Sequence, residues 1–198
     1  MKRFTFLLAA ILFVSALSSA SAQVRRTQAE PSRTVVLKAN VLSPFVLTAS
    51  GFVEVAFAPH MSAQLGAFTT GASYKDVKFS GHGFTPEVRY YLSETKEAPR
   101  GAYVAGYGRI LDYKLTVDDE EEGKTYEASY KPLGAGVAIG NQWIFNSGIA
   151  VDLFMGLGVN GGSLKVKSGT KDDFDLGFLN LVGSGVRFRP GLTVGYSF

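Results

Sequence analysis

The 198-residue chain carries 20 Lys and Arg against 17 Asp and Glu, a formal net charge of +3, and no cysteine. Two of the cations, Lys2 and Arg3, stand in the first segment, so the remainder is close to neutral at +1. That balance excludes the basic footprint of a nucleic-acid binder, and the missing thiols exclude disulfide and thiolate chemistry.

The chain starts with those two basic residues, followed by the apolar run "FTFLLAAILFVSAL" (4–17) and by "SSASA" (18–22), which puts Ala20 and Ala22 in an A-x-A pattern. The run is too short for a mature membrane helix, so residues 1–22 read as a secretory signal peptide cut after Ala22. The other reading is an uncleaved anchor helix. A cut there leaves 176 residues, enough for one domain. Residues 23–34 have no apolar period and are expected to be a disordered lead-in. No later segment has 18 consecutive apolar residues, so a mature transmembrane helix is excluded, whereas a membrane strand needs only about 9–11 residues.

From residue 35 onward the pattern has period two, which is the pleat of a β-strand. Eight strands are expected, at about 35–43, 50–58, 62–74, 83–92, 101–115, 127–142, 148–160 and 184–198. In the last of these Val186, Phe188, Pro190, Leu192, Val194, Tyr196 and Phe198 share one face, and Arg187, Arg189, Gly191, Thr193, Gly195 and Ser197 the other. The links "APHM", "SETKEAPR" and "FNSG" are compact. "YKDVKFSGH", "TVDDEEEGKTYEAS" and "GGSLKVKSGTKDDFDLGFLNLVGS" are long.

Gly156, Gly158 and Gly161 spell G-x-G-x-x-G, the pattern of a dinucleotide site. That motif must follow a near-continuous apolar strand and open a helix. Here Asp152 interrupts the strand, and a turn-rich charged stretch follows. The glycines therefore read as the inner face of a strand.

Alternation alone does not say which face looks inward, since a lipocalin-like soluble barrel alternates too. Three features favour apolar side chains outward. The other face carries glycine with charges of both signs, Glu54, Glu87, Arg89, Arg109, Asp152, Arg187 and Arg189, a set able to pair across a narrow interior. Lysines lie mainly in links, with Lys38 and Lys114 as exceptions. Aromatics stand near strand ends, Trp143, Phe145, Tyr196 and Phe198 on one side and Tyr74 and Tyr113 toward the other, like the two interfacial girdles of a membrane barrel. Because an unpaired strand edge is costly in hydrocarbon, such a sheet must close. Eight strands enclose an interior that side chains just fill.

"KANVLSP" (38–44), "GFTPEVRYYLS" (83–93), "GAYVAGYGRILDYK" (101–114) and "GNQWIFNSGIAVDLFMGLG" (140–158) resemble the small OmpA/OmpX-like outer-membrane β-barrels of Gram-negative bacteria that are known only as a domain of unknown function. The final "GLTVGYSF", with Phe198 last and Tyr196 two places before it, is similar to the C-terminal signal read by the outer-membrane assembly machinery. The resemblance implies an all-β fold: a closed antiparallel up-and-down transmembrane β-barrel of about eight strands over 35–198, preceded by a cleavable signal peptide. It also implies location in the outer membrane, with outer-membrane lipid and lipopolysaccharide and the assembly machinery as partners. It brings no catalytic residues, cofactor or metal.

Few constellations could carry chemistry. His60-Met61-Ser62 resembles the His/Ser arrangement of outer-membrane lipid A deacylases, with Glu54 near in sequence to orient an imidazole; the other reading is a periplasmic turn. His82, between two glycines, reads as a loop residue. Asp118–Glu122 and the "KDDFD" stretch (171–175) read as solvated loop tips, or as oxygen ligands for a divalent cation without the spacing of a dedicated calcium loop. The expected role is therefore structural or surface-interacting, for a monomeric barrel that is not an enzyme. A lipid-modifying enzyme and a soluble binding barrel remain the alternatives.

Overall fold

The computed structural model describes residues 33–74, 77–119, 124–162, 164–168 and 185–198. The expected leader, most of the lead-in, Glu120–Glu122 and the 171–175 stretch lie outside them. The described residues form ten strands: β1 (Val35–Asn40), β2 (Thr48–Ala58), β3 (Met61–Tyr74), β4 (Val77–Tyr91), β5 (Gly101–Asp119), β6 (Lys124–Tyr130), β7 (Leu133–Ile144), β8 (Ile149–Gly161), β9 (Leu164–Ser168) and β10 (Gly185–Ser197). Every pairing is antiparallel, in the order β4-β3-β2-β1-β10-β8-β7-β5, and β5 returns to β4. The sheet thus closes into an up-and-down barrel of eight staves.

The two remaining strands extend two of those staves. β5 pairs with β7 along Gly101–Ile110 and with β6 along Tyr113–Asp119, so β6 and β7 are one stave broken at Lys131-Pro132. Likewise β9, which pairs with β6, prolongs β8 beyond Gly161. Pro132 has no N–H to give a ladder, although its carbonyl still accepts from Leu111 N at 3.1 Å. Gly162 stands against it, where a Cβ would come within 2.8 Å of Pro132 Cα. The two breaks face each other.

Seven of the eight expected strands match these staves to within about four residues at each end; the first of them starts at Val35 as expected and stops at Asn40, where a short 3-10 turn, Ser43–Val46, follows. The exception is the fourth, expected over 83–92. The "YKDVKFSGH" link is largely strand instead, because β4 begins at Val77. There Lys78, Ser80 and His82 are exposed and outward while Phe79, Gly81 and Gly83 face in, so the pleat continues with a polar outer row. His82 is accordingly on a strand, opposite Thr69 and Asp112, and not in a loop. Arg33, expected in the disordered lead-in, is fixed by bonds from Nη1 to Phe145 O at 2.8 Å and from Nη2 to Asn146 O at 2.7 Å.

Burial is inverted relative to a water-soluble protein. Leu153, Met155, Leu157 and Val159 on β8 are each about half exposed, while Asp152 and Phe154 on the alternate face are buried. The same alternation runs along β4, where Phe84, Val88 and Tyr90 are exposed and Glu87 and Arg89 are buried. The outward apolar row ends at one level, marked by the exposed Lys131 paired with Asp112 at 2.7 Å. Below that level the belt on β8 runs Ile149–Val159. At about 3.3 Å per residue and a tilt of about 40° it spans about 25 Å.

Candidate functional site: the barrel lumen

The inward face of each stave contributes to one polar network. Glu54 on β2 is its hub. It accepts from Lys38 Nζ (2.6 Å), Ser62 Oγ (2.6 Å), Tyr91 Oη (2.6 Å), Gln142 Nε2 (3.0 Å) and Arg89 Nη1 (3.3 Å). Asp152 on β8 is the second centre, accepting from Arg89 Nη1 (2.9 Å), Tyr103 Oη (2.9 Å) and Lys38 Nζ (3.1 Å). Glu87 is the third, holding Arg89 Nε at 2.7 Å and Arg189 Nη1 at 2.8 Å. The Arg89 guanidinium also lies over the Tyr103 ring, 4.2 Å from its centroid. Each carboxylate is answered by at least one cation and by further donors, hydroxyls on Glu54 and Asp152 and the Gln64 amide on Glu87, which is the condition under which buried charge is tolerated.

Of the seven charged residues expected to face inward, five, Glu54, Glu87, Arg89, Asp152 and Arg189, join this network. Arg109 and Arg187 also lie on inward faces but nearer the end with the long links. Lys38, which the sequence marks only as an exception among the lysines, is buried at the centre, bridging Glu54, Asp152 and Gln142 Oε1. Gln142, Tyr91 and Tyr103 are further members that the sequence reading misses, although parity along their strands places them inside.

At the end with the short links the 93–100 segment folds beneath the network. Pro99 is fully buried, its carbonyl accepts from Gln142 Nε2 at 2.7 Å, and Ala98 N donates to Pro59 O at 2.7 Å. The aromatics Trp143, Phe145, Tyr196 and Phe198 stand exposed around this end. Tyr113, expected in an outer girdle at the other end, instead faces the lumen and stacks on Phe79 at 5.6 Å. Strict parity from Tyr103 through Tyr107 to Tyr113 places it inside. The side chain of Tyr74 lies outside the described residues.

The His60/Ser62 pair is divided between the two sides of the wall. Ser62 is fully buried and donates to Glu54, whereas the His60 ring lies 6.2 Å from that of the outward-facing Tyr90. Among the described residues no cluster of His, Cys, Asp and Glu is placed to hold a metal ion.

The inward glycines make room for rings. A Cβ at Gly158 would meet Tyr107 Oη at 2.7 Å and Ala135 O at 2.6 Å, and one at Gly140 would meet Tyr103 Oη at 2.5 Å. Gly156 likewise lies against Tyr107. The G-x-G of the dinucleotide-like pattern is thus a seat for a tyrosine.

A family model described as "Protein of unknown function (DUF3575)" matches residues 7–166. No curated protein matches the chain. Among solved structures, a major outer membrane protein from Thermus thermophilus is similar at 13% identity and a TM-score of 0.44, covering 83% of this chain and 98% of that one.

Proposed function

We propose a role for this chain as a member of the DUF3575 family, to which it belongs: it is a small integral barrel of the Gram-negative outer membrane with a filled interior. It acts as a structural or surface-interaction protein rather than an enzyme. The inverted burial carries this reading. Exposed apolar residues ring the barrel on every stave while Glu54, Arg89 and Asp152 are fully buried, and water-soluble monomers rarely expose apolar patches beyond a few hundred Å2. Strands of this length, closed without an edge over most of the belt, satisfy the backbone where no water can. In this reading the ion pairs and the 93–100 segment fill the lumen, lipid and lipopolysaccharide contact the belt, and the β10 strand is what the assembly machinery reads. The long links, on the far side from the aromatic rim, offer the contact surface.

The test is fractionation of cells producing the full chain. The expected result is recovery with the outer membrane and a band whose gel mobility changes on boiling. Recovery of a folded protein in the soluble periplasmic fraction would overturn the reading.

A further inference from the structure

Above the ion-pair network the lumen widens into a cavity of about 410 Å3, within the range of roughly 300–1,000 Å3 of small-ligand sites. Phe52, Phe68, Phe79 and Phe154 line it, with Arg109 and Arg189 set among them. Arg189 is engaged, on Glu87 and over the rings of Tyr107 and Phe154. Arg109 is not. Its Nε is buried without a hydrogen-bond partner, and no carboxylate pairs with it among the described residues. The charged side chains that bear on it, Arg189 and Arg187, have its own sign, and beside them are the phenols of Tyr113 and Tyr107. Within the network Lys38, Arg89 and Arg189 answer Glu54, Glu87 and Asp152, which leaves Arg109 over. A guanidinium so placed favours a bound anion.

Among the described residues the wall beside this cavity is open. β1 ends at Asn40, opposite Thr193, and one further bond joins Val41 N to Leu192 O. β10 continues to Gly185 paired with β8, yet on its β1 side no strand accompanies it there among the described residues. Pro190 stands in that bare edge and lines the cavity; it has no N–H to leave unpaired. On the other bank the 41–47 turn holds Val41, Leu42, Val46 and Leu47 exposed, and Phe45 is 86% exposed.

We propose that the cavity binds one long-chain amphiphile with an anionic head, its carboxylate or phosphate on Arg109 and its hydrocarbon along the phenylalanines and out through that opening. A free inorganic anion or sugar would leave the apolar walls unmatched, and an uncharged lipid would leave Arg109 unanswered. The planar fork of arginine accepts a carboxylate and a phosphate equally well, so a fatty acid and a phospholipid headgroup are the two sources. The site itself depends only on the barrel; the path of the tail rests on the membrane reading above.

Replacing Trp143, the single tryptophan, by Phe and introducing Phe79→Trp puts one fluorophore in the cavity. The full mature chain is folded into phosphatidylcholine vesicles and checked by its boiling-sensitive band. It is then titrated with dibrominated stearate, phosphatidylglycerol, phosphatidylcholine or stearyl alcohol. Saturable quenching by stearate or phosphatidylglycerol is expected at concentrations about tenfold below those for the uncharged and zwitterionic quenchers, and whichever acts first identifies the source. Arg109→Gln raises the half-saturating concentration about tenfold, while Lys131→Gln on the outer surface leaves it unchanged. Equal quenching by charged and uncharged probes, or a titration indifferent to Arg109→Gln, overturns the proposal. A chain that stays soluble and will not enter vesicles fails the membrane reading alone, and the same titration in aqueous buffer then decides the site.

Discussion

Glu54 and Asp152 each gather several donors from strands that are distant in sequence, and a carboxylate so placed is hard to remove without harm. Glu54→Ala leaves Lys38 and Arg89 short of a partner in a fully buried site. The expected loss is about 3–5 kcal/mol, read as a lower urea midpoint for the barrel folded into vesicles, with the slope unchanged. Lys131→Ala removes a solvent-facing pair with Asp112 and is expected to move the same midpoint by less than about 1 kcal/mol. Comparable losses from the two would show that the lumen charges are hydrated. Which residues face inward was readable from parity alone, for Glu87 and Arg89 as for Arg187 and Arg189. Which of them meet was not. Lys38 reaches Asp152 from 114 positions away, a contact set by the stagger of the closed sheet, and no local pattern records stagger.

On a single strand the two faces make opposite demands. On β8, Met155 stands near the middle of the outward apolar row and Val159 near its polar limit. Met155→Arg is expected to cost about 2–4 kcal/mol in a bilayer and Val159→Arg about 0–1. An equal and small effect of both in vesicle-folded protein would mean that the row does not face lipid. The inner face is governed by space. Gly140→Ala would drive a methyl group into Tyr103, whose hydroxyl is committed to Asp152, so a loss of about 1–3 kcal/mol is expected. On the outer face, Gly106→Ala, with nothing within 4 Å of the added carbon, should be neutral or stabilising in the same denaturation assay. Strand identity was legible from alternation, while ends were legible only where polarity changed with them. β4 and β5 extend past the apolar belt with Lys78, Ser80 and Lys114 outward. A polar outer row there resembles a loop, because the barrel wall continues beyond its outward apolar belt.

For the whole molecule, the proposed filled interior requires that closure and the crossing ion pairs block passage along the axis. Planar bilayers containing the purified barrel are expected to remain silent, and a steady unitary conductance would contradict the filled interior. The compact connections, the aromatic rim and the 93–100 segment gather at one end, so the molecule is polarised along its axis. That polarity was visible in the alternation of link lengths, whereas the opening above β1 was not, since residues 41–43 continue an apolar pattern after the pairing has stopped. The network also bears on how such a wall could be built. Lys38, Glu54, Ser62, Arg89, Tyr103, Gln142, Asp152 and Arg189 come one from each stave. Like a lock with eight pins, it turns only when all are aligned. A half-assembled ribbon would hold naked charges against oil, so partly threaded states lie uphill of both extremes, and insertion should proceed as a concerted, all-or-none event.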